Sequence, residues 1–277
     1  MGSGIAQVAA AAGFPVVGVE TSRERAEAGH RRIAAFLERG MARGRGTPEE
    51  RDRILSAITT TDRLTDLRRA DIVIEAIYED LAAKQALFRE LDAVLPREAL
   101  LATNTSGLTV HAIAGPLLRV RRIVGLHFFN PAPLMPLVEV VRPAGADPET
   151  VAEAVAFCRA LGKEPVVVKD RPGFLVNRLL IPYLNQAADA YDHGLASRED
   201  LDTAVELGLG YPMGPLKLLD RIGLDVHLAA TEAIYAQTYR PEFRPPAILR
   251  ELVARGSTGK KSGSGFYAYD GPPAGEA

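Results

Sequence analysis

From Val16 to Val168, short apolar runs alternate with longer stretches of helical periodicity. The runs are Val16 to Glu20, Asp71 to Ile77, Leu100 to Thr103, Ile123 to Phe129, Leu137 to Val141 and Pro165 to Val168. Near-continuous apolar character suits strands buried on both faces. Between the runs, apolar spacing predicts helices over about 22–40, 48–58, 80–94, 109–114 and 148–161. A further helix opens the chain: Ile5, Val8, Ala9 and Ala12 share one face, and Gly13 ends it. Strands alternating with helices predict an α/β fold, a doubly wound and mostly parallel sheet with helices on both faces.

The pattern changes after Lys169-Asp170-Arg171-Pro172-Gly173. Helical spacing then dominates, and no further strand run is evident before Phe266-Tyr267. We therefore expect two domains, 1–170 with the sheet and 171–277 all-helical. A length of 277 residues fits two domains at roughly 100–200 residues each. There is no internal repeat, and the Gly/Pro-containing tail after 270 reads as disordered. Hydrophobic residues at 47% and charged residues at 25% are ordinary for a globular chain. A net charge of −2 gives no basic footprint for nucleic acid. No apolar run has the length of a membrane span. The opening residues lack the basic n-region of a signal peptide. A single cysteine, Cys158, excludes an intramolecular disulfide framework and a multi-cysteine metal site. It fits a reducing, cytoplasmic setting, and we expect no metal.

Two glycines, Gly2 and Gly4, sit at the start of the first helix. A glycine-rich helix N-terminus lets a pyrophosphate approach the backbone, and the helix amides stabilise its charge. Glu20 follows a strand eighteen positions after Gly2, where an acid can hydrogen-bond the adenosine ribose. Its charge would repel a 2′-phosphate, which favours NAD over NADP. Taken alone, the glycines have a second reading as close helix packing.

Gly2-Ser3-Gly4-Ile5-Ala6-Gln7 resembles the second half of the fingerprint of the 3-hydroxyacyl-CoA dehydrogenase family, of the 3-hydroxybutyryl-CoA dehydrogenase type. The resemblance continues through Glu75-Ala76-Ile77-Tyr78-Glu79-Asp80, Thr103-Asn104-Thr105-Ser106, His127-Phe128-Phe129-Asn130-Pro131 and Leu137-Val138-Glu139-Val140. It extends to Pro172-Gly173-Phe174-Leu175-Val176-Asn177-Arg178, Gly214-Pro215-Leu216 and Gly263-Ser264-Gly265-Phe266-Tyr267. In that family the fingerprint G-x-G-x-x-G-x-G-I-A follows a strand. Gly2 aligns with its third glycine, so the first Rossmann strand and first two glycines are not among these residues. We expect a longer native chain that starts upstream of Met1.

The resemblance implies a Rossmann-like domain and NAD-dependent, reversible oxidation of an (S)-3-hydroxyacyl-CoA to the 3-oxoacyl-CoA. A histidine suits the proton transfer because it titrates near neutral pH. His127 would be the general base in oxidation and general acid in reduction, with Glu139 on its other ring nitrogen. By composition alone His127 is a packed structural residue and Glu139 an outward strand acid. Ser106 and Asn177 would hold the substrate oxygen; without the resemblance they are a turn serine and a helix-cap asparagine. Cofactor contacts would fall on Glu79, Lys84, Asn104 and Ser106, with Lys261 from the second domain. Asn130 would organise the loop beside the site, and Asp220 and Asp225 are equally read as helix caps. Arg43, in a cluster with Arg31, Arg32, Arg39 and Arg45, either pairs with CoA phosphates or belongs to a solvated helix face. A homodimer through the helical domain is a further implication. Two other readings remain open from sequence. One is a dehydrogenase of hydroxy or sugar acids without CoA. The other is an inactive binding protein on the same fold.

Overall fold

The computed structural model describes residues 1–115, 117 and 119–269, and the tail after 270 lies outside them. The chain divides into two compact units, the first ending at Phe174 and the second starting at Leu175.

The first unit begins with α1 (Gly2–Ala11) and β1 (Val16–Val19). Two helices follow, α2 (Arg23–Met41) and α3 (Pro48–Ser56), and then β2 (Ile58–Thr61). Next come β3 (Ile72–Glu75), α4 (Leu81–Val94), β4 (Leu100–Thr103), α5 (Val110–Ala114) and β5 (Ile123–Phe128). The unit continues through β6 (Leu137–Arg142), α6 (Pro148–Ala160) and β7 (Glu164–Lys169). Local chemistry marks several helix starts. Ser22 caps α2 and Asp80 caps α4. Thr47 and Glu50 form a reciprocal capping box on α3, with Pro48 at its first position.

The strands form two sheets. Among the described residues, β1 pairs with β2 alone, in parallel. The other five lie in the order β3-β4-β5-β6-β7. β3, β4 and β5 are mutually parallel, whereas β6 is antiparallel to β5 and parallel to β7. The mostly parallel, Rossmann-like architecture expected from the sequence is thus present. β2 is a correction: we expected helix up to residue 58. Ile58-Thr59-Thr60-Thr61 is β-branched throughout and suits a pleated surface, but its single large apolar residue gives no strand signal. β1 is a second correction. It is not buried on both faces, since Val17 is 41% exposed.

α1 is apolar almost all round. Ile5, Val8 and Ala9 pack with Leu100, Ala102, Val124, Leu126, Val138 and Val140 of the large sheet. Its other side, through Ala10 and Ala6, packs with Ile33, Ile54 and Ile58 around the small sheet. Small side chains allow one helix to serve both cores. The opposite face of the large sheet packs Leu101, Ile123 and Val141 against Phe88, Leu91, Val110 and Ile113. Gly125 makes that approach possible, because a Cβ there would lie 2.9 Å from Val110 and 2.8 Å from Val141. Cys158 of α6 is fully buried, which pushes its thiol up to about 12.

The second unit contains α7 (Val176–Asp192), α8 (Arg198–Leu209), α9 (Pro215–Ile222), α10 (Leu224–Thr238) and α11 (Ala247–Ala254). Its core joins Leu184, Ala188, Leu216, Leu219, Leu224, Leu249 and Phe266. Phe266-Tyr267 is not a strand. The carboxylate of Asp220 accepts both backbone N–H groups at 2.9 Å, in place of a ladder. Asp220 is therefore a clasp for this segment and not the cap of a helix. Asp225 lies in the first turn of α10.

His227 of α10 is 4% exposed, with Nε2 2.9 Å from Asn185 Oδ1. Burial pushes its pKa from the ordinary 6.5 down to about 4. The unfolded chain therefore binds the proton more readily than the folded one. Stability from neutral His227 is fully present above pH 6.5 and falls as pH drops from 6.5 to about 4. We expect the melting temperature to decline over that window in the native chain, and the decline to be flatter in His227→Gln.

Candidate active site

The period of two along each strand sorts side chains by face. Glu75 of β3, Thr103 of β4, His127 of β5 and Glu139 of β6 share the face that carries α4 and α5. Glu75, Thr103 and His127 stand at or beside the carboxyl ends of the three parallel strands, where doubly wound sheets open their ligand crevice.

His127 and Glu139 are register partners across the antiparallel β5–β6 pair. Their side chains meet at 2.6 Å, Nδ1 to Oε2. His127 is 5% exposed and Glu139 is fully buried. A short bond to a buried carboxylate fixes which ring nitrogen carries the proton and leaves Nε2 to exchange one with a ligand. Two aromatic rings flank the imidazole, Phe129 at 4.6 Å and Phe174 at 5.5 Å between centroids.

A second polar cluster builds the turn Asn104 to Leu108. Glu79 Oε1 accepts the hydroxyl of Thr105 and the backbone N–H groups of Ser106 (3.2 Å), Gly107 (2.9 Å) and Leu108 (3.3 Å). Burial alone would raise the pKa of Glu79. The hydrogen bonds from Thr105, Gly107 and Leu108 and the charge of Lys84 outweigh it, so the carboxyl is held below its usual range. Lys84 is only 1% exposed. Its ammonium lies 2.6 Å from Glu75 and 3.4 Å from Glu79, and donates to the carbonyl of Ile77. Glu75 also accepts from Thr103 Oγ1 at 2.7 Å. Asn104 Oδ1 accepts the N–H of Phe128 at 2.9 Å, so the turn is tied to the strand of His127. Asn130 precedes a cis proline, Pro131, in the loop after that strand.

The two glycines that open α1 stand at the same end of the sheet. A Cβ on Gly2 would lie 3.8 Å from Ala76, the residue after β3. A Cβ on Gly4 would lie 3.3 Å from Pro133 and 3.4 Å from Ala132. The first turn of α1 holds no acidic side chain, and no side chain caps it. Its amides therefore suit an anionic group such as a pyrophosphate. Glu20 follows β1 directly, half-buried, with its carboxylate 3.7 Å from Arg25.

The structure thus brings Glu79 onto the turn that carries Asn104 and Ser106, with Lys84 of α4 paired to Glu79 behind it, and His127 and Glu139 into one pair. Arg43 is exposed in the turn after α2. In the second unit, Asn177 is the second residue of α7, whose N-cap is Leu175, so it is not a capping asparagine. Lys261 pairs with Asp225 at 2.6 Å. Sequence reading assigned no role to Glu75, Thr103 or Phe174. For Glu75 a signal existed: a carboxylate within an apolar run, nine positions before a lysine on the following helix.

Comparisons with known proteins identify the family. Residues 1–171 match the model of the 3-hydroxyacyl-CoA dehydrogenase NAD binding domain, and residues 173–269 match the C-terminal domain of the same family. The chain is 43% identical to a probable 3-hydroxybutyryl-CoA dehydrogenase of Bacillus subtilis, covering 98% of this chain and 94% of that one. It is 44% identical to a 3-hydroxybutyryl-CoA dehydrogenase of Mycobacterium tuberculosis, covering 97% and 95%. Among solved structures it resembles the (S)-3-hydroxybutyryl-CoA dehydrogenase PaaH1 of Ralstonia eutropha, with a TM-score of 0.93, 38% identity and coverage of 98% and 96%. With both domain models matched in order along one chain, this protein belongs to the family of NAD-dependent 3-hydroxyacyl-CoA dehydrogenases.

Proposed function

We propose that this chain interconverts (S)-3-hydroxybutyryl-CoA and acetoacetyl-CoA, with His127 as the proton-transferring group and Glu139 as its orienting partner. The buried 2.6 Å bond between them carries the reading. In oxidation, Nε2 of His127 takes the proton of the substrate hydroxyl while hydride leaves carbon 3. Glu139 keeps the Nδ1 proton in place and offsets the positive charge that forms on the imidazole. In reduction the imidazolium returns its proton to the new alkoxide oxygen. NAD supplies the hydride acceptor in this chemistry.

The Ser106 hydroxyl, exposed on a turn that Glu79 fixes at its backbone, would hold the substrate oxygen. Asn177 would act as a second donor to that oxygen. Gly2 and Gly4 would admit the pyrophosphate, and Glu20 would accept from the adenosine ribose. Glu79, Lys84, Asn104 and Lys261 would complete the nicotinamide half, with Lys84 acting from beneath the turn. Arg43 would face the CoA phosphates. Exposed Leu195, Leu207, Leu209 and Tyr211 in the second unit support a homodimer. We read the boundary between the two functional domains near residue 170, just before the end of the first compact unit at Phe174. A buried free thiol at Cys158 suits a reducing cytoplasm. No helix among the described residues is long and apolar enough to cross a membrane.

The reading is tested by following NADH consumption with acetoacetyl-CoA and, in parallel, with free acetoacetate. Turnover with the thioester alone is the expected result. Saturation by the free acid and not by the thioester would overturn the substrate assignment. His127→Ala should lower kcat on the order of 10²–10⁴-fold while NADH binding, read by fluorescence, stays within about twofold. Near-normal turnover in that variant would remove His127 from the mechanism. Glu139→Gln keeps the shape but not the charge, and kcat should fall roughly 10²-fold or more. The KM for NADH should stay close to the native value.

A further inference from the structure

Phe174 ends the first unit in a conformation that few side chains adopt. Its φ is +47°, in the left-handed region, and it follows Gly173 at +77°. A non-glycine residue persists there only when its surroundings hold it in place. The surroundings are specific. The segment leaves β7, and Asp170 is fastened to α5: its carboxylate accepts the N–H groups of Val110 at 3.0 Å and His111 at 2.7 Å. The N–H of Phe174 closes the turn onto the carbonyl of Arg171 at 2.9 Å. The ring is 4% exposed and lies 5.5 Å from the imidazole of His127, which Phe129 meets at 4.6 Å from its own strand.

We propose that Phe174 is a positioning residue for proton transfer, forming with Phe129 an aromatic clamp on His127. The inference rests on the proposed role of His127 and extends it. Glu139 holds one edge of the imidazole, and a single bond leaves the ring free to rock about it. Two rings at these distances limit that motion and keep water from the imidazole faces. Both centroids also lie within about 6 Å, the range over which an aromatic ring attracts a cation. The clamp therefore favours the imidazolium that forms as the substrate hydroxyl gives up its proton. The left-handed turn and the Asp170 fastening deliver the ring to this place from β7, an edge strand beyond β6.

The test compares Phe174→Leu with Phe174→Tyr. Leucine keeps most of the apolar fill without an aromatic face, tyrosine keeps the face, and both meet the same backbone. In the leucine variant kcat should fall roughly three- to thirtyfold, with KM for acetoacetyl-CoA and NADH within about twofold. The tyrosine variant should keep kcat within about twofold of the native chain. Native kcat in Phe174→Leu, or an equal loss in both variants, would overturn the clamp. Turnover of the native chain and its loss in His127→Ala report separately on the underlying mechanism. A readout independent of turnover follows the ring-nitrogen resonances of His127 against pH, with Glu139, the carboxylate bonded to that ring, unchanged throughout. The titration should move to lower pH in Phe174→Leu and overlay the native curve in Phe174→Tyr. Coincident curves for all three proteins would refute the proposal.

Discussion

Antiparallel pairing of β6 with β5, beside strands that run parallel, sets His127 directly opposite Glu139. Side chains alternate faces along a strand, so a slip of one residue would carry Glu139 to the other side of the sheet. The register is held by what surrounds the pair. Val138 and Val140 enter the core shared with α1 and α6, while Val141 enters the core beneath α4 and α5. Any slip would exchange buried valines with a buried acid. The same apolar packing that stabilises the sheet therefore fixes the geometry of the His127–Glu139 pair.

The polar row along this sheet face is tolerable only because each charge is matched. An isolated ammonium or carboxylate in the interior costs several kcal/mol. Lys84 is buried against Glu75 and Glu79, and Glu75 is further satisfied by Thr103 and the N–H of Ile77. Glu79 then directs its other interactions to the backbone of the turn that carries Ser106. Charge balance deep in the sheet is thus passed outward as a fixed turn at the rim. Asn104 makes the same connection from the other direction, extending the ladder of β5 with a side chain where the partner strand has ended.

Much of this was legible in the sequence, because the apolar runs and helical periodicities are strong where the chain is buried on both sides. β3, β4, β5 and β6 fall where their valines, leucines and isoleucines predict. β2 was hidden because a threonine-rich strand in a small sheet has only one large apolar residue to declare it. The candidate site was legible through residue type and order: a histidine at a strand end, an acid on the next strand, and a Thr-Asn-Thr-Ser turn. The pairing of His127 with Glu139 needed the antiparallel register, which no spacing within either run reveals. Phe174 was invisible for a similar reason. Nothing in Pro-Gly-Phe announces that the phenylalanine takes a left-handed backbone or that its ring reaches a strand forty-seven positions earlier.

α1 serves two cores of the first unit at once, and that limits how its sequence can change. Ile5, Val8 and Ala9 enter the core of the large sheet, and Ala6 and Ala10 enter the core around Ile33, Ile54 and Ile58. Val16 of β1 packs against both as well. Ala10 is fully buried, so a larger side chain there has no free volume on either side, and overpacking of this kind typically costs about 1–3 kcal/mol. A shift of the helix to make room would carry Gly2 and Gly4 with it. The alanines of α1 are thus constrained by volume, before any ligand is considered.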